Sequence, residues 1–341
     1  MATIYDVAER AGVSIATVSR TLRGEDCVSD AVRARVLGAA DELGYRPNRL
    51  ARALAEGRTH ALGLVLPESL TNPFYAQLAE SIVHSALPWN YDVVLTLTTG
   101  GSVQDYVDTV VSLGERQIEG LLLCAGQETV QACMDVRSAG SPPLVAIGCP
   151  PGVDAPLVTI DEEAAGHALT RHLLDLGHTR VAFLCLDHPA CRPGGREHGY
   201  LRAMEEAGLA PLLRSGPATF DGGLLEAPAL LAESPDVTAL VAFNDAAAIG
   251  ALCGLRDAGK RVPDDVSVVG FDDIPQSRYC SPPLTTMALP VAEMAEQAVA
   301  LLCQAIAHLN DGSLYRPIFL APSLIRRESC RALPRAESGS S

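Results

Sequence analysis

A short segment near the N-terminus places small hydroxyl donors and one arginine at helical spacing. In residues 11–24, AGVSIATVSRTLRG, the side chains of Ser14, Thr17, Ser19 and Arg20 fall on the predicted exposed side of a helix. Hydroxyl groups suit contacts to phosphate oxygens, and an arginine can read a guanine through two parallel hydrogen bonds. The pattern therefore favours DNA binding, although short alanine-rich helices can also be ordinary core elements.

Polar side chains also follow apolar segments further along the chain. They are Asp161, Asn244, Asp245, Asp272, Asp273 and, at the start of a predicted helix, Arg196. Ligands of parallel α/β sheets bind beyond the carboxyl ends of the strands, where these residues would lie. Buried carboxylates and a buried arginine are costly unless they are paired or bind a ligand. The residues alone leave two interpretations open, a ligand cleft and a set of helix caps and structural ion pairs.

Three short helices are expected to position the first group. Their predicted spans are residues 4–11, 15 to about 22 and 30 to about 43, with caps at Thr3, Ser14 and Ser29, a capping-box Asp6 and stop glycines Gly12 and Gly24. The spacing of Ala8, Gly12 and Val18 is typical of a helix-turn-helix. A small residue lets the two helices cross closely, and glycine permits the positive φ of the turn.

From residue 61 onward, apolar segments of strand length alternate with helical segments. The first series has strands in ALGLVLP, YDVVLTLT, IEGLLLC and PLVAIG, with helices from Pro73, at 103–117 and at 127–139. The second series has strands in LVTID, RVAFLC, near Ala218, ALVAF and VSVVGF, with helices at 163–176, 196–208, 223–233 and 245–258. This alternation predicts two doubly wound parallel-sheet lobes with a cleft between them.

Charge is distributed unevenly over the 341 residues, whose formal net charge is -15. Residues 1–60 balance at +1, whereas the remainder carries -16. The acidic body disfavours non-specific binding to nucleic acid or anionic membrane, but it leaves room for a small DNA-binding module. The N-terminus MATIYDVAER has no basic region followed by an apolar run, so we expect no export signal. We therefore expect a cytoplasmic protein whose ten cysteines are reduced thiols, with no membrane partner.

Metal-dependent and enzymatic functions find little support in the motifs. Cys185, His188, Cys191 and His198 have a spacing that only loosely resembles zinc ligation, so we expect no metal and no cofactor. The sequence lacks GxGxxG after a strand, GxxxxGK[ST], GxSxG and HExxH, which disfavours an enzyme. A stand-alone solute receptor would share the body but would need an export signal and no N-terminal module. An enzyme and a stand-alone solute receptor therefore stay as alternatives that we consider unfavourable.

Two stretches, TIYDVAERAGVSIATVSRTLRG and VSDAVRARVLGAADELGYRPNRLARALA, resemble the DNA-binding head and hinge of the LacI/GalR family of transcription regulators. The resemblance continues through NPFYAQL, VTIDEEAAGHALTRHLLDLGHTRVAFL, REHGYLRAM, VAFNDAAAIGAL and VPDDVSVVGFDDIPQSRYCSPPLTT, and covers about residues 3–330. It implies a homodimeric, sequence-specific regulator, a repressor in the first instance, that binds a pseudopalindromic operator. It also implies a periplasmic-binding-protein-like body that holds a small effector. Three chain crossings would join its lobes, the third near TTMALPVAEM.

The resemblance assigns DNA contacts to the head. Ile15, Ala16 and Arg20 match base-contacting positions on a helix in the major groove, where Ile15 and Ala16 can pack against thymine methyl groups. The residues suited to phosphate anchoring are Thr3, Tyr5, Ser14, Thr17 and Ser19, and the remaining members of the set are Arg23, Ser29 and Tyr45. Arg23 departs from the family, which often has asparagine there, so the resemblance does not define the kind of contact that it makes.

The hinge is the second implied DNA-reading segment. Leu54 matches the residue that the family inserts into the minor groove, with Asn48, Ala51 and Arg52 alongside. The alternative is that Leu50 and Leu54 form a simple apolar stripe. The match predicts an operator with a central CG step.

The resemblance also assigns effector contacts to the cleft. Hydrogen-bonding positions fall on Arg196, Asn244 and Asp272, stacking positions fall on Phe74, Tyr75 and Phe220, and Asp161 and Arg192 complete the predicted set. An Arg–Asp pair beside flat apolar faces favours a sugar, although a nucleobase would stack equally well. A charged Arg192 would instead indicate an acidic or phosphorylated effector.

These interpretations define four predicted regions. They are a helix-turn-helix domain at 1–46, a hinge at 47–59, an effector-binding and dimerisation domain at 60–331 and a disordered tail at 332–341. Within the third region, the first lobe takes about 60–159 plus 291–320 and the second about 160–290 plus 321–331.

Overall fold

The computed structural model describes residues 2–22, 27–45, 58–67, 70–98, 100–138, 140–186, 194–307 and 316–334. The chain forms two compact units, one up to residue 60 and the other from residue 61 onward. Among the described residues, no helix is long and apolar enough to cross a membrane. The limits drawn from the sequence for the four regions stay predictions, and residues 335–341 of the expected tail lie outside the described residues.

The first unit, called the head below, contains helices α1 (Ile4–Ala11), α2 (Ile15–Leu22) and α3 (Asp30–Glu42). The predicted capping box is confirmed, since Thr3 accepts from the Asp6 amide while the Asp6 carboxylate accepts from the Thr3 amide. Gly12 ends α1 with a φ of 63°, which suits glycine. The head core consists of small and β-branched side chains: Val7, Ala8, Ala11, Val18, Val36, Ala39 and Ala40.

The caps of α2 and α3 differ. The Thr17 amide donates to Ser14 Oγ over 3.1 Å, which confirms the predicted cap of α2. Ser29 occupies the cap position of α3, but its side chain makes no capping hydrogen bond, so that part of the prediction is wrong. Ser29 is exposed, and water can satisfy the first amides of an exposed helix. The predicted stop residue Gly24 lies outside the described residues.

The second unit, called the body below, begins with a run of strands and helices that builds the first lobe. Its elements are β1 (Ala61–Leu66), α4 (Pro73–Ala86), a 3-10 turn (Leu87–Trp89), β2 (Asp92–Leu97), α5 (Val103–Glu115), β3 (Gly120–Cys124), α6 (Gln127–Asp135), β4 (Leu144–Ile147) and β5 (Leu157–Ile160). Helix α4 is capped by Asn72, whose side chain accepts from the Phe74 amide.

The second lobe follows directly. Its elements are α7 (Glu162–Asp175), β6 (Val181–Leu186), α8 (Arg196–Glu206), β7 (Leu212–Gly216), α9 (Phe220–Glu233), β8 (Ala239–Ala242), α10 (Asp245–Asp257), β9 (Ser267–Asp272), a 3-10 turn (Pro275–Arg278) and β10 (Thr285–Ala288). The chain then returns to the first lobe with α11 (Val291–Ala307) and β11 (Ile318–Leu320), and ends in the second lobe with β12 (Ser323–Ile325).

The two predicted parallel sheets are confirmed. The first has the strand order β11-β5-β4-β3-β1-β2 and is parallel throughout. The second has the order β12-β10-β9-β8-β6-β7 and is parallel except for the pairing of β10 with β12. Strands β3, β4, β5, β8 and β9 are buried along their whole length, because helices cover both faces.

Four details of the predicted body are wrong. Strand β5, which the sequence pattern assigns to the second series, pairs with β4 and β11 in the first sheet. The third crossing between the sheets lies at residues 321–322, and TTMALPVAEM is the second. The short strand near Ala218 is β7, which ends at Gly216. Helix α9 starts at Phe220, three residues before the predicted start at residue 223, because Thr219 caps it. Alternation along the sequence does not reveal which sheet a strand joins.

Candidate DNA-contact helix and effector cleft

Helix α2 has an inner and an outer face. Val18 is fully buried, and Thr21 is buried with its hydroxyl donating to the Thr17 carbonyl over 2.8 Å. Ile15, Ala16 and Arg20, the predicted base-contacting residues, are all exposed. The outer face of α2 therefore presents two apolar side chains and one guanidinium to an incoming partner.

The other predicted DNA contacts lie around this face with different exposure. Thr3, Tyr5, Ser14 and Ser29 are exposed, Thr17 and Ser19 are half-buried, and Tyr45 is half-buried against the head core. Part of the role of Tyr45 is therefore structural. Arg23 and the hinge residues Asn48, Ala51, Arg52 and Leu54 lie outside the described residues. The DNA-contact assignment stays a prediction.

Arg196 is the centre of the candidate effector cleft. It is the first residue of α8, is 8% exposed, and its guanidinium carbon lies 4.5 Å from the centre of the Phe243 ring and 3.8 Å from that of Phe271. One terminal nitrogen donates to the Phe243 carbonyl over 2.7 Å, and the other donates to Glu162 Oε1 over 2.7 Å. Two aromatic rings and two hydrogen-bond acceptors thus fix the orientation of the guanidinium.

Asp272 is the second carboxylate beside this guanidinium. It ends β9, is 5% exposed, and its Oδ1 lies 3.9 Å from Arg196 Nη1. Burial raises the pKa of Asp272 well above its usual value, although Arg196 and a hydrogen bond with Asn72 act in the opposite direction. Burial alone would lower the pKa of Arg196, but Glu162 and Asp272 outweigh it and raise that pKa. The arginine therefore stays charged.

Tyr75 approaches this cluster from the first lobe. Burial raises its pKa well above the usual value, and the charges of Asp272 and Arg196 act on it as well. Its ring stacks edge-on against Phe74 at 5.3 Å. The structure therefore brings together three of the predicted effector residues, namely Tyr75, Arg196 and Asp272.

Two other predicted effector residues act as helix caps. Asp161 accepts from the Ala164 amide over 2.8 Å at the start of α7. Asn244 accepts from the Ala247 amide over 2.9 Å at the start of α10 and donates to the Ala218 carbonyl over 3.0 Å. These contacts agree with the interpretation of the two side chains as helix caps. A role for either of them in effector binding stays a prediction.

The aromatic and loop residues of the predicted set are placed less completely. Phe220 begins α9 and is half-buried, while Arg192 lies outside the described residues. An open cavity of about 430 Å³ lies beside β11 and α7, and Asp161 is the only predicted effector residue that lines it. The candidate cleft is therefore defined by a different group of residues, called the Arg196 cluster below. It consists of Arg196, Glu162, Asp272 and the rings of Phe243 and Phe271.

Sequence reasoning missed Glu162, Phe243, Phe271 and Asn72 as neighbours of Arg196 or Asp272. Glu162 follows Asp161 in the first turn of α7, where an acidic residue is expected simply to favour the helix N-terminus. Phe243 stands beside Asn244 at the end of β8, and this position was its only signal.

A close helix crossing explains why Glu162 meets Arg196. A Cβ at Gly166 of α7 would overlap the Arg196 backbone, and one at Gly199 of α8 would overlap the Glu163 carbonyl. Only hydrogen atoms fit between the two backbones, so the first turns of α7 and α8 are held side by side. The two charged side chains consequently start from adjacent backbone positions.

Asp245, also noted at a strand end, is a structural clamp. It is fully buried and accepts from the Ile274 amide at 2.9 Å, the Ser277 hydroxyl at 2.6 Å and the Thr286 hydroxyl at 2.5 Å. Burial raises its pKa to about 6. It joins α10 to β10 and to the 3-10 turn, and so supports the end of β9 that carries Asp272.

Among the described residues, no group of three or more His, Cys, Asp or Glu side chains could hold a metal ion.

Comparison with known proteins adds a separate line of information. Residues 3–48 match the model of bacterial regulatory proteins of the lacI family, and residues 170–330 match a periplasmic binding protein-like domain. The chain is 33% identical to the ribose operon repressor of Haemophilus influenzae, over 98% of this chain and 100% of that protein.

Two solved structures are similar over nearly the whole chain. A lac repressor dimer bound to operator and the anti-inducer ONPF has a TM-score of 0.86 and 27% identity, covering 97% of this chain and 99% of that one. A complex of the transcriptional regulator CelR with cellobiose has a TM-score of 0.71 and 31% identity, covering 96% and 100%.

Proposed function

The chain belongs to the lacI family of bacterial regulatory proteins, and on that premise we propose that it represses transcription by binding a pseudopalindromic operator as a homodimer under the control of a small effector. The observation that carries the proposal is the presence, in one chain, of a head with an exposed contact helix and a body with a buried Arg196 cluster. The first suits DNA and the second suits a small polar ligand.

The outer face of α2 supplies the sequence-specific contacts of the head. Arg20 binds a guanine edge in the major groove, and Ile15 and Ala16 pack against thymine methyl groups. The residues proposed for phosphate and supporting contacts are Thr3, Tyr5, Ser14, Thr17, Ser19, Arg23, Ser29 and Tyr45. Because residues 1–60 are nearly neutral, phosphate attraction is moderate and added salt weakens it further.

The hinge reads the centre of the operator. Leu54 enters the minor groove at a central CG step, with Asn48, Ala51 and Arg52 beside it. An inserted apolar side chain unstacks one base step at roughly a few kcal/mol, which the contacts of a bent site offset.

An apolar surface on the first lobe supports the homodimer. Its exposed apolar side chains lie on α4, on the following 3-10 turn and on the edge strand β2, and they are Val83, Leu87, Trp89, Val94 and Leu95. Several exposed apolar side chains near an unpaired strand edge are typical of a protein–protein interaction site. A second copy covers them here and supplies the other half-site reader.

The effector is a sugar or a sugar derivative. An arginine and an aspartate beside Phe243, Phe271 and Tyr75 provide hydrogen bonds to hydroxyl groups and flat surfaces for a ring. One similar protein is named a ribose operon repressor, and another has been solved as a complex with cellobiose. A nucleobase is the second candidate, since the same rings would stack on it. Phe74, Asp161, Arg192, Phe220 and Asn244 complete the proposed contact set.

Effector binding acts on the operator through the arrangement of the lobes. A ligand that prefers one arrangement shifts the population toward it and so changes the distance between the two hinges. We place this regulator in the cytoplasm, where its DNA target lies, and propose that it catalyses no reaction.

Selection of operator sequences from random DNA tests the proposal. The wild-type protein should enrich a pseudopalindrome with a central CG step. Arg20→Ala should lower affinity for that site by about 10- to 100-fold, as expected for the loss of a bidentate base contact. Leu54→Ala should lose preference for the site while it keeps most non-specific binding.

Arg10→Ala is the matched control, because Arg10 lies in the head outside the proposed contact set. It should bind the selected site nearly as tightly as the wild type. Failure to enrich any symmetric sequence, or equal affinity of Arg20→Ala and the wild type, would contradict the proposal.

A further inference from the structure

The charges around Arg196 leave the cleft without a net positive group. Two carboxylates, Glu162 and Asp272, lie within 2.7 Å and 3.9 Å of the one guanidinium. The Arg196 side chain is 10% exposed, that of Glu162 25% and that of Asp272 5%, so solvent screens these interactions poorly. Glu162 alone balances the charge of the guanidinium, and Asp272 adds no positive charge, so a negatively charged ligand would meet no net attraction here.

The geometry of Arg196 points the same way. A phosphate or carboxylate is usually bound through two parallel N–H groups of one arginine. Here each terminal nitrogen already donates, one to the Phe243 carbonyl and the other to Glu162. The Nε–H group is buried and has no hydrogen-bond partner among the described residues. Each terminal nitrogen keeps a second N–H, so the guanidinium retains donors for hydroxyl and ether oxygens, whereas Glu162 already neutralises its charge.

The pairing is built into the backbone. The close contacts at Gly166 and Gly199 bring the first turns of α7 and α8 backbone to backbone, so the side chains of Glu162 and Arg196 start from adjacent positions. The rings of Phe243 and Phe271 both lie against the guanidinium and restrict its movement. An anionic ligand would have to displace Glu162 from Arg196 and leave this half-buried carboxylate near Asp272 without its partner.

We infer that Glu162 is a specificity-determining residue, which occupies the guanidinium of Arg196 and restricts the cleft to uncharged polyhydroxyl effectors. Phosphorylated and carboxylated ligands are rejected. This inference rests on the proposed function of the cleft as the effector site. It narrows that function to a class of ligand and decides against the acidic or phosphorylated effector that Arg192 had indicated.

Inorganic phosphate is the probe for the first test, since it carries the excluded charge and nothing else. Its binding to the full chain is measured by calorimetry and by thermal unfolding, against potassium chloride of equal ionic strength. The wild type should bind phosphate no more tightly than it binds chloride, and Glu162→Gln should bind phosphate about tenfold more tightly than the wild type does, because a half-buried like charge is removed. Adding Arg196→Met to Glu162→Gln should abolish the gain.

Glu163→Gln is the matched control. Glu163 is the neighbouring residue of α7 and pairs with Arg202 at 2.5 Å, but both side chains are about one-third or more exposed. This variant should behave as the wild type does. If Glu162→Gln does not fold, Glu162→Ala provides the same neutralisation. Phosphate binding by the wild type at this site, or no gain in either neutral variant, would overturn the inference.

D-ribose and D-ribose 5-phosphate provide a second test, because they differ only in the phosphate. If the wild type binds the phosphate ester more tightly than the sugar, the inference fails while the proposed function stands. If neither sugar binds and operator binding is intact, the phosphate measurement decides the inference. A protein that binds no operator contradicts the proposed function whatever the phosphate result.

Discussion

The head and the second lobe of the body place an arginine in opposite surroundings. Arg20 stands exposed on α2, above a core of alanine and valine side chains. Arg196 is 8% exposed and is enclosed by two rings, a carbonyl and two carboxylates. The head therefore presents an arginine on its surface, whereas the cleft uses a buried arginine as part of its packing.

This difference has a consequence for how each site can change. Substitution of an exposed residue on α2 alters what the head binds at little expense to folding. Loss of one partner in the cleft leaves another charge buried and unpaired, which affects stability together with binding. Specificity for DNA is thus separable from the fold, and specificity for the effector is not.

Glycine-to-alanine substitution should have opposite effects in the two regions. Gly199→Ala should destabilise the body by about 3–5 kcal/mol, because the added Cβ would overlap the Glu163 carbonyl in the crossing of α7 and α8. Gly38→Ala should stabilise the head by about 0.5–1 kcal/mol, since Gly38 lies within α3 and a Cβ there meets no atom within 4 Å.

Chemical unfolding of the full chain, followed by separate probes for each unit, measures both changes. A Gly199→Ala protein as stable as the wild type would show that α7 and α8 do not cross in backbone contact. A destabilising Gly38→Ala would show that the outer side of α3 is covered.

Carboxyl groups of the two regions should also respond to pH with opposite sign. Burial raises the pKa of Asp245 to about 6, so its contribution to the unfolding free energy of the body should fall by on the order of 2–3 kcal/mol as pH rises from about 4 to about 6. Hydrogen bonds from the Thr3 backbone and side chain lower the pKa of Asp6. The stability that Asp6 gives the head is therefore lost as pH falls below about 4.

Carboxyl titration by NMR, with Asp245→Asn and Asp6→Asn to assign the two signals, checks the pKa directions. The difference in unfolding free energy between each variant and the wild type, measured across pH 3–7, checks the signs. Equal titration of Asp245 and Asp6 would mean that the Asp245 clamp is open to water.

The smallest expected effect concerns the ion pair on the head surface. Arg10 and Glu42 lie 2.6 Å apart, with 60% and 59% of their side chains exposed. Arg10→Gln should change head stability by no more than about 0.5 kcal/mol, because water screens an exposed pair. A double-mutant cycle with Glu42→Gln measures the coupling directly. A coupling above about 1 kcal/mol would contradict the view that only the body depends on its charged pairs.

Much of the fold could be predicted because the relevant contacts are local. The capping box of Thr3 and Asp6, the turn at Gly12 and the Ser14 cap all join residues within four positions. Their residue types are therefore sufficient to indicate them. The alternation of strands and helices in the body is equally readable, since each element's period depends on its own residues.

The cleft could be predicted only in part. The end of β9 and the start of α8 follow from the strand–helix pattern, and so Asp272 and Arg196 were found. The partner Glu162 is 34 residues from Arg196, and the carbonyl of Phe243 is 47 residues away. Nothing in a linear pattern indicates that these groups meet.

The sequence by itself thus determined the helix-turn-helix head, two parallel-sheet lobes and the residue types that each exposes. Tertiary structure decided which sheet β5 joins, that Asp161 and Asn244 cap helices, and that Glu162 pairs with Arg196. The physical reason is the range of the interactions. Caps, turns and periodicity act over a few residues, whereas pairing of buried charges depends on the close approach of two helix backbones, which their glycines permit only after the chain has folded.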